Sequence, residues 1–171
     1  MTDKFILDAC CGGKHMWFNK NNPNTIYIDI RREKKGHNPR EPNHTIEPDE
    51  IMDFRKMSFP DKSFKLIVFD PPFQFLSDTS YLAKSYGNLK RETWESDYKM
   101  AFKEIWRCLE DYGVLIFKFN DKHIKFDRVL DLFPIKPLFG NVASTGTKSI
   151  TKWFCFMKIP DALAGEKLTK W

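Results

Sequence analysis

The sequence lacks the residue spacings that mark metal-binding, disulfide-stabilised and dinucleotide-binding proteins. Its four cysteines stand at positions 10, 11, 108 and 155, which gives neither a CxxC zinc pattern nor the framework of a small secreted domain. The four histidines, at positions 15, 37, 44 and 123, show no metal-ligand spacing. No GxGxxG run is present. We therefore predict no metal site and a reducing, cytoplasmic compartment.

Long hydrophobic runs are also missing, and neither sign of charge dominates. No stretch approaches the length of a membrane span, and the apolar part of MTDKFILDACCGG is too short for a signal peptide. The net charge of +5 is compatible with a polyanionic partner but falls short of a chain dominated by basic patches. Hydrophobic residues make up 42% of the 171 residues, enough for the core of one domain. These properties predict a soluble protein with no membrane partner.

Short apolar runs rich in Ile, Val, Phe and Tyr recur along the chain and predict strands. They are FILDA (5–9), TIYIDI (25–30), EIMDF (50–54), FKLIVF (64–69), GVLIFKF (113–119) and TKWFCFMK (151–158). The first five are typical of an α/β sheet, and the nearly continuous apolar character of LIVF and VLIF favours parallel strands covered on both faces. The segment 138–158 has no room for a crossover helix and predicts a terminal β-hairpin.

Two helices are predicted between and after these strands. Residues 92–110 carry apolar side chains at spacings of three and four, and residues 123–133 form a second helical pattern that stops before Pro134. The charged, proline-broken segment 31–48 predicts a surface loop with a solvated basic cluster at its start. The segment 74–91 predicts a mixed insertion of irregular structure.

Polar residues and glycines follow the first three strands. Asp8 ends the first strand, and Gly12-Gly13 form a turn that lets the backbone approach a ligand, although an ordinary tight turn explains the same pattern. Asp29 ends the second strand, where an acidic side chain accepts hydrogen bonds from ribose hydroxyls in nucleotide-binding α/β folds. Asp53 follows the third run and is equally well explained as a capping aspartate or as a ligand for a base or ribose.

The stretch Asp70-Pro71-Pro72-Phe73 directly follows the fourth strand. Two prolines make the backbone rigid, and the carboxylate of Asp70 and the carbonyl of Pro71 then offer two acceptors for the N–H groups of one planar amine, while Phe73 stacks on the attached ring. Two such acceptors localise the lone pair of an exocyclic amine and aim it at an electrophilic methyl group. The alternative is a proline turn without chemistry, which leaves the flanking Asp and Phe unexplained.

In this order, the glycine turn, the acid after the second strand and DPPF resemble class I S-adenosylmethionine (SAM)-dependent methyltransferases of the amino type, over residues 4–158. The runs DACCGGKHMWF, YIDIRRE, DFRKMSFPDKSFKLIVFDPP and GVLIFKFN are similar, more specifically, to small stand-alone DNA methyltransferases of bacteriophage and prophage genomes. The family's usual DxGxGxG turn is DACCGG here.

The resemblance implies an α/β, Rossmann-like fold with a mostly parallel seven-stranded sheet, an antiparallel C-terminal hairpin and helices on both faces. It implies one methyltransferase domain over residues 1–158, a tail over 159–171, and location in the cytoplasm of a bacterial or phage-infected cell. SAM is the implied cofactor, with contacts at Asp8, Ala9, Cys10, Gly12, Gly13, Asp29, Ile30, Asp53, Phe54 and Asp70.

The expected reaction is transfer of a methyl group from SAM to an exocyclic amine of a nucleobase, either adenine N6 or cytosine N4, in DNA. The catalytic residues are then Asp70, Pro71, Pro72 and Phe73. Candidate substrate-binding residues are Phe73, Lys118, Asn120, Lys148 and Trp153. The partner is a nucleic acid, and the protein is a monomer or a homodimer. Two alternatives stay open: the same chemistry on RNA, a protein glutamine or a small-molecule amine, and a non-catalytic regulator that binds the cofactor.

Overall fold

A twisted sheet of seven strands, in the order β3-β2-β1-β4-β5-β7-β6, forms the centre of the protein. The computed structural model describes residues 4–141 and 150–160. The strands are β1 (Ile6–Asp8), β2 (Thr25–Asp29), β3 (Glu50–Ile51), β4 (Phe64–Phe69), β5 (Leu109–Asn120), β6 (Phe139–Gly140) and β7 (Thr151–Met157), and the helices are α1 (Tyr81–Tyr86), α2 (Trp94–Cys108) and α3 (Phe126–Leu130).

The first five strands run parallel, and β7 runs antiparallel to both of its neighbours, β5 and β6. This arrangement confirms the predicted α/β sheet and the reversal at its C-terminal end. Because parallel strands end at one edge, the segments that follow β1, β2 and β4 meet there. The chain leaves β1 toward β2 on one side and returns to β4 on the other, so β1 and β4 flank the point where the strand order reverses.

Aromatic side chains fill the space between the sheet and α2. Tyr98 lies fully buried between the rings of Phe117 and Phe119, and the Phe102 ring stacks on Phe133 with centroids 4.3 Å apart. Each such buried ring contributes roughly 1.5–3 kcal/mol relative to an exposed one. The apolar stripe predicted for residues 92–110 is therefore the core face of α2.

The two faces of the sheet are covered to different extents. Along β5, Phe117 and Phe119 on the α2 face are fully buried, whereas Val114, Ile116 and Lys118 on the other face are half-buried. Helices follow β4 and β5, but the described connections after β1, β2 and β3 contain turns and isolated bridges instead. The cover of both faces expected from the apolar runs is found for β2, where all five residues are buried, and for residues 67–69 of β4, whereas β5 is fully buried on its α2 face alone.

Helix boundaries differ from the sequence prediction for a reason that lies in the sheet. The helix predicted over 92–110 ends at Cys108, because Leu109 already pairs with Phe64 as the first residue of β5. A register shift follows, and Tyr112 takes a left-handed conformation at φ 62° within it. The second helix is α3, shorter than the predicted 123–133, and the predicted irregular insertion 74–91 contains α1.

Within residues 4–141 and 150–160, no helix combines the length and apolar character needed to cross a membrane.

Candidate active site

One cavity of about 250 Å³ lies at the carboxyl edge of the sheet and brings together residues from both predicted sites. Its lining includes the turn Cys10–Gly13 after β1 and the stretch Asp70–Phe73 after β4. Asp29 borders the same cavity, and so do Lys118 and Asn120 at the end of β5. The glycine turn and the DPPF stretch, which are far apart in the chain, therefore face one space.

The glycine turn is tied to the acid at the end of β2. The Gly12 N–H donates to one carboxylate oxygen of Asp29 at 3.0 Å, and the Arg31 N–H donates to the other at 2.9 Å. Gly12 has φ 48°, a left-handed conformation that favours glycine, and an added Cβ would meet nothing within 4 Å. The turn thus presents its backbone to open space while Asp29, which is 2% exposed, fixes its shape.

Gly13 is needed for a different reason, close packing. A Cβ at this position would lie 2.6 Å from His44 Nε2 and 2.7 Å from His15 Nε2. The imidazoles of His15 and His44 are stacked with centroids 5.3 Å apart, and burial lowers the pKa of both. The second glycine therefore leaves room for two neutral, stacked rings behind the turn.

Asp8 is enclosed by the turn that it precedes, with 0% of its surface exposed. Its carboxylate accepts hydrogen bonds from Trp17 Nε1 at 2.7 Å and from the Cys10 N–H at 3.2 Å. Burial raises the pKa of Asp8 to about 7, in spite of these two hydrogen bonds. No local pattern indicated that Trp17 would be the partner of this carboxyl group.

A second cavity, of about 390 Å³, adjoins the first, since Cys10, Asp29, Arg31, Pro72 and Gly87 line both. Ile30 and Phe54 line only this one, and the Phe54 ring packs edge-on against Phe69. The carboxylate of Asp53 binds Arg55, which also binds Asp97 at 2.8 Å. Ile30 and Phe54 thus line one cavity, whereas Asp53 has a structural partner in Arg55.

The two proline carbonyls of the DPPF stretch differ in their hydrogen bonding. The Tyr98 hydroxyl of α2 donates to the Pro72 carbonyl at 2.8 Å, and within the described chain no group donates to the Pro71 carbonyl. Phe73 lines the cavity while its ring packs edge-on against Phe119 at 6.2 Å. Its position is therefore set by the core as well as by any bound ring.

Asp70 is paired with a lysine from the next strand. Lys118 Nζ lies 2.5 Å from Asp70 Oδ2, and the two side chains are 28% and 23% exposed. Burial raises the pKa of Asp70, and the Lys118 charge opposes that effect. Lys118 was predicted to bind substrate, and the structure brings it directly to the predicted amine-binding carboxylate.

Two of the remaining predicted substrate residues, Asn120 and Trp153, lie near the same end of β5. Asn120 donates to the Thr151 hydroxyl at 3.0 Å, and both residues line the first cavity. Trp153 pairs with Lys118 in the sheet register and is 39% exposed. Lys148 lies outside the described residues.

Sequence reasoning missed the role of Arg31, which it assigned to a solvated basic cluster. Its guanidinium binds Asp29 at 3.4 Å and donates to the carbonyls of Ala83 and Lys84 at the end of α1. Because Arg31 lines both cavities, it does not belong to the solvated part of the basic cluster at the start of the 31–48 segment. An arginine two residues after an acidic strand end was the available signal.

Helix α1 is held over this edge of the sheet from the 31–48 segment. The amide of Asn38, which is 0% exposed, donates to the Tyr81 carbonyl at 2.9 Å and to the Ser85 hydroxyl at 2.6 Å, and Ser85 also binds Glu41. Leu82, Ser85 and Tyr86 line the first cavity. Within the described ranges, no group of three or more His, Cys, Asp or Glu side chains has the geometry of a metal site.

No protein-family model matches the chain, and no curated protein matches it either. Three solved structures are similar over most of its length. A SAM-dependent methyltransferase from Methanosarcina mazei is 14% identical with a TM-score of 0.51, over 93% of this chain and 94% of that chain. A TehB-like SAM-dependent methyltransferase from Corynebacterium glutamicum is 16% identical with a TM-score of 0.54, over 92% and 82%. An rRNA methylase from Streptococcus thermophilus is 10% identical with a TM-score of 0.53, over 93% and 89%.

At identities this low, the likeness of the structures shows the fold alone. It agrees with the strand order β3-β2-β1-β4-β5-β7-β6 and with the antiparallel end of the sheet. The chain has the Rossmann-like fold of class I SAM-dependent methyltransferases, as its sequence predicts.

Proposed function

We propose that the protein is an enzyme that transfers a methyl group from SAM to an amine held by Asp70 and Pro71. One observation carries the proposal: the DPPF stretch, the glycine turn and Asp29 line a single cavity at the point where the strand order reverses. The likeness to solved SAM-dependent methyltransferases supports the same conclusion.

The residues at this edge suit the chemical groups of SAM. The Gly12 turn faces open space, and each Asp29 oxygen accepts one backbone hydrogen bond, which leaves lone pairs for ribose hydroxyls. Ile30 and Phe54 offer apolar contact for the adenine ring. When bound, SAM supplies an electrophilic methyl group on a sulfonium.

The chain's own residues then act on the acceptor. The Asp70 carboxylate and the Pro71 carbonyl accept the two N–H groups of the amine, which favours a pyramidal nitrogen with a localised lone pair. The Tyr98 bond to the neighbouring Pro72 carbonyl holds this backbone in place. The positive charge that develops on nitrogen lies next to Asp70, to which the departing proton can pass.

The acceptor that this surface favours is a nucleobase amine, adenine N6 or cytosine N4, in DNA. The rings of Phe75 and His123 stack with centroids 5.8 Å apart and an angle of 2°, and the Arg91 guanidinium lies 4.5 Å from the centre of the Phe75 ring. Phe75 lies two residues beyond Phe73 and is half-buried, and Trp153, the register partner of Lys118, is 39% exposed. Aromatic rings beside cations bind bases and phosphates.

The test is methyl transfer from labelled SAM to DNA, RNA, protein and a small-molecule amine, run in parallel. We expect label in DNA and its loss in Asp70→Ala, with Asp131→Ala as a control at an exposed aspartate outside the cavity. Label that survives Asp70→Ala would contradict the role of Asp70. Label in RNA, protein or the small molecule instead would change the acceptor and leave the amine chemistry intact.

Calorimetric titration with SAM, combined with a labelling screen for an acceptor, separates the enzyme from a non-catalytic regulator. We expect SAM to bind wild type and Asp70→Asn with similar affinity, because the glycine turn and Asp29 supply most of the contacts. Tight binding with no acceptor in a whole-lysate labelling screen would favour the regulator.

A further inference from the structure

We propose that the Lys118 ammonium occupies the acceptor-amine position on Asp70 in the free protein, holds Asp70 as a carboxylate, and is displaced when an acceptor binds. Lys118 is then a positioning residue that acts through Asp70. The inference rests on the proposed amine acceptor, but its first test does not need methyl transfer.

The geometry places an amine where the acceptor amine is expected. Lys118 Nζ lies 2.5 Å from Asp70 Oδ2, the distance of a strong charge-assisted hydrogen bond. Both residues line the same cavity as Pro71 and Phe73. A substrate N–H group that binds this carboxylate therefore takes the place of a Lys118 N–H group.

A second position for the displaced ammonium is present on the neighbouring strand. Lys118 and Trp153 are paired in the β5–β7 register, and Lys118 Nζ is 5.7 Å from the centre of the Trp153 ring. A cation within about 6 Å of an indole face is attracted by it. The Trp153 ring thus lies within reach of the Lys118 ammonium when an acceptor takes its place on Asp70.

The charge of Lys118 matters because Asp70 is poorly solvated. In an apolar setting a lone carboxylate becomes protonated, and a protonated Asp70 is a weaker acceptor for an amine N–H group and cannot take the departing proton. Arg31 lines the same cavity, but its guanidinium is paired with Asp29. The other groups around Asp70 supply no fixed positive charge; they are Asp8 on β1, Cys10 and His15 after β1, Tyr86 on α1 and Tyr98 on α2.

The first experiment is a carbon-13 NMR titration of the Asp70 carboxyl group in wild type, Lys118→Met and Lys118→Arg, without cofactor or acceptor. Loss of an adjacent cation raises the pKa of an aspartate by about one to three pH units. We expect this rise in Lys118→Met and not in Lys118→Arg. Lys152→Met, which removes a cation that lies over Phe126, is the matched control and leaves the Asp70 titration unchanged.

An unchanged Asp70 titration in Lys118→Met overturns the proposal. If Lys118→Met does not fold, Asp70→Asn tests the same pair from the other side, because the Lys118 ammonium then loses its carboxylate partner and its side-chain NMR signals change relative to wild type. Lys118 side-chain signals that are the same in both proteins also overturn it. Neither measurement depends on whether methyl transfer occurs.

The second experiment follows displacement with 2′-deoxyadenosine as the probe. We expect the acid limb of the pH profile of kcat/KM to move to higher pH in Lys118→Met. In wild type, we expect the chemical shifts of the Lys118 side chain to change when the probe binds, in the way that proximity to the Trp153 indole ring produces. Lys118 chemical shifts that are the same with and without the bound probe contradict displacement. A gain of one methyl group on Lys118 after incubation with SAM alone would make Lys118 an acceptor, which also overturns the proposal.

Discussion

At the scale of single residues, the cavity is built from groups that are held by their neighbours before any ligand arrives. Asp29 is fixed by two backbone N–H groups, Pro72 by a hydroxyl and Asp70 by a lysine. In the proposed methyl transfer, such fixed acceptors would lower the reorganisation needed when a charge develops on the acceptor nitrogen. The residue-scale predictions concern the two positions where the environment is least tolerant, Asp8 and Gly13.

Asp8→Asn should stabilise the protein at alkaline pH. Because the pKa of Asp8 is raised to about 7 in the folded state, the folded protein binds more protons than the unfolded chain between about pH 4 and 7, and this carboxyl group makes stability fall as pH rises through that window. Asparagine keeps an acceptor for Trp17 without the charge. Thermal unfolding at pH 5 and pH 8 should show the larger gain at pH 8. An equal gain at both values contradicts the raised pKa.

Gly13→Ala should weaken the turn and cofactor binding together. The added methyl group would displace the stacked rings of His15 and His44, and overpacking of this kind costs about 1–3 kcal/mol. Chemical denaturation and calorimetry with SAM measure the two effects. Gly36→Ala is the control for the general effect of replacing a glycine. Gly36 has a positive φ and open space around it, and its substitution should leave SAM binding unchanged.

At the scale of secondary structure elements, α1 is the part of the site whose own length and capping favour a helix least. It has six residues, and its N-cap Ser80 makes no side-chain capping bond. Short helices are marginal by themselves, so Arg31 and Asn38 supply the hydrogen bonds that keep this one in place.

Asn38→Ala should therefore release α1 and leave the sheet intact. The substitution leaves buried partners without hydrogen bonds, at a cost of about 1–3 kcal/mol. Hydrogen exchange should show loss of protection at Lys84 and Gly87, whose amides bond within this segment, and unchanged protection in β4 and β5. Asn43→Ala, at an exposed asparagine of the same segment, is the control. Equal loss of protection across β4 would mean that Asn38 stabilises the whole domain.

Strands proved more predictable than helices and loops, for physical reasons. FKLIVF matches β4 residue for residue because a central parallel strand is marked by continuous apolar character. The end of α2 was predicted too late because Leu109 pairs in the sheet with Phe64, a partner 45 positions earlier in the chain. Arg31 was misread for the same reason, since the carbonyls that it binds belong to a helix more than 50 positions later.

The candidate site followed the same rule. The order of Gly12, Asp29 and Asp70 along predicted strands was enough to bring them to one edge, because parallel strands end together. The partners Trp17, Tyr98 and the paired state of Lys118 depend on side-chain packing between distant segments, which a single sequence does not encode in a local pattern.

At the scale of the whole molecule, the charge and the surface rings bear on the partner. The net charge is +5, and Arg91 stands beside the Phe75–His123 stack. We expect affinity for single-stranded DNA to fall as salt rises, with a shallower slope in Arg91→Ala, since each phosphate contact releases counterions. Fluorescence anisotropy over a salt series measures both slopes. Identical slopes for the two proteins would contradict a phosphate contact at Arg91.

The connections after β1, β2 and β3, which contain turns instead of helices, have a consequence for how the chain reaches its native state. The connection between β4 and β5 contains α1 and α2, which form locally and shorten the span to be closed, whereas Leu7 of β1 pairs with Ile67 across a stretch that contains no helix. Closing such a stretch is slow, since the entropy lost is recovered only when the strands meet. We expect pulse-labelled hydrogen exchange to show early protection in β4 and β5 and late protection in β1, so that the acceptor half of the cleft forms before the cofactor half.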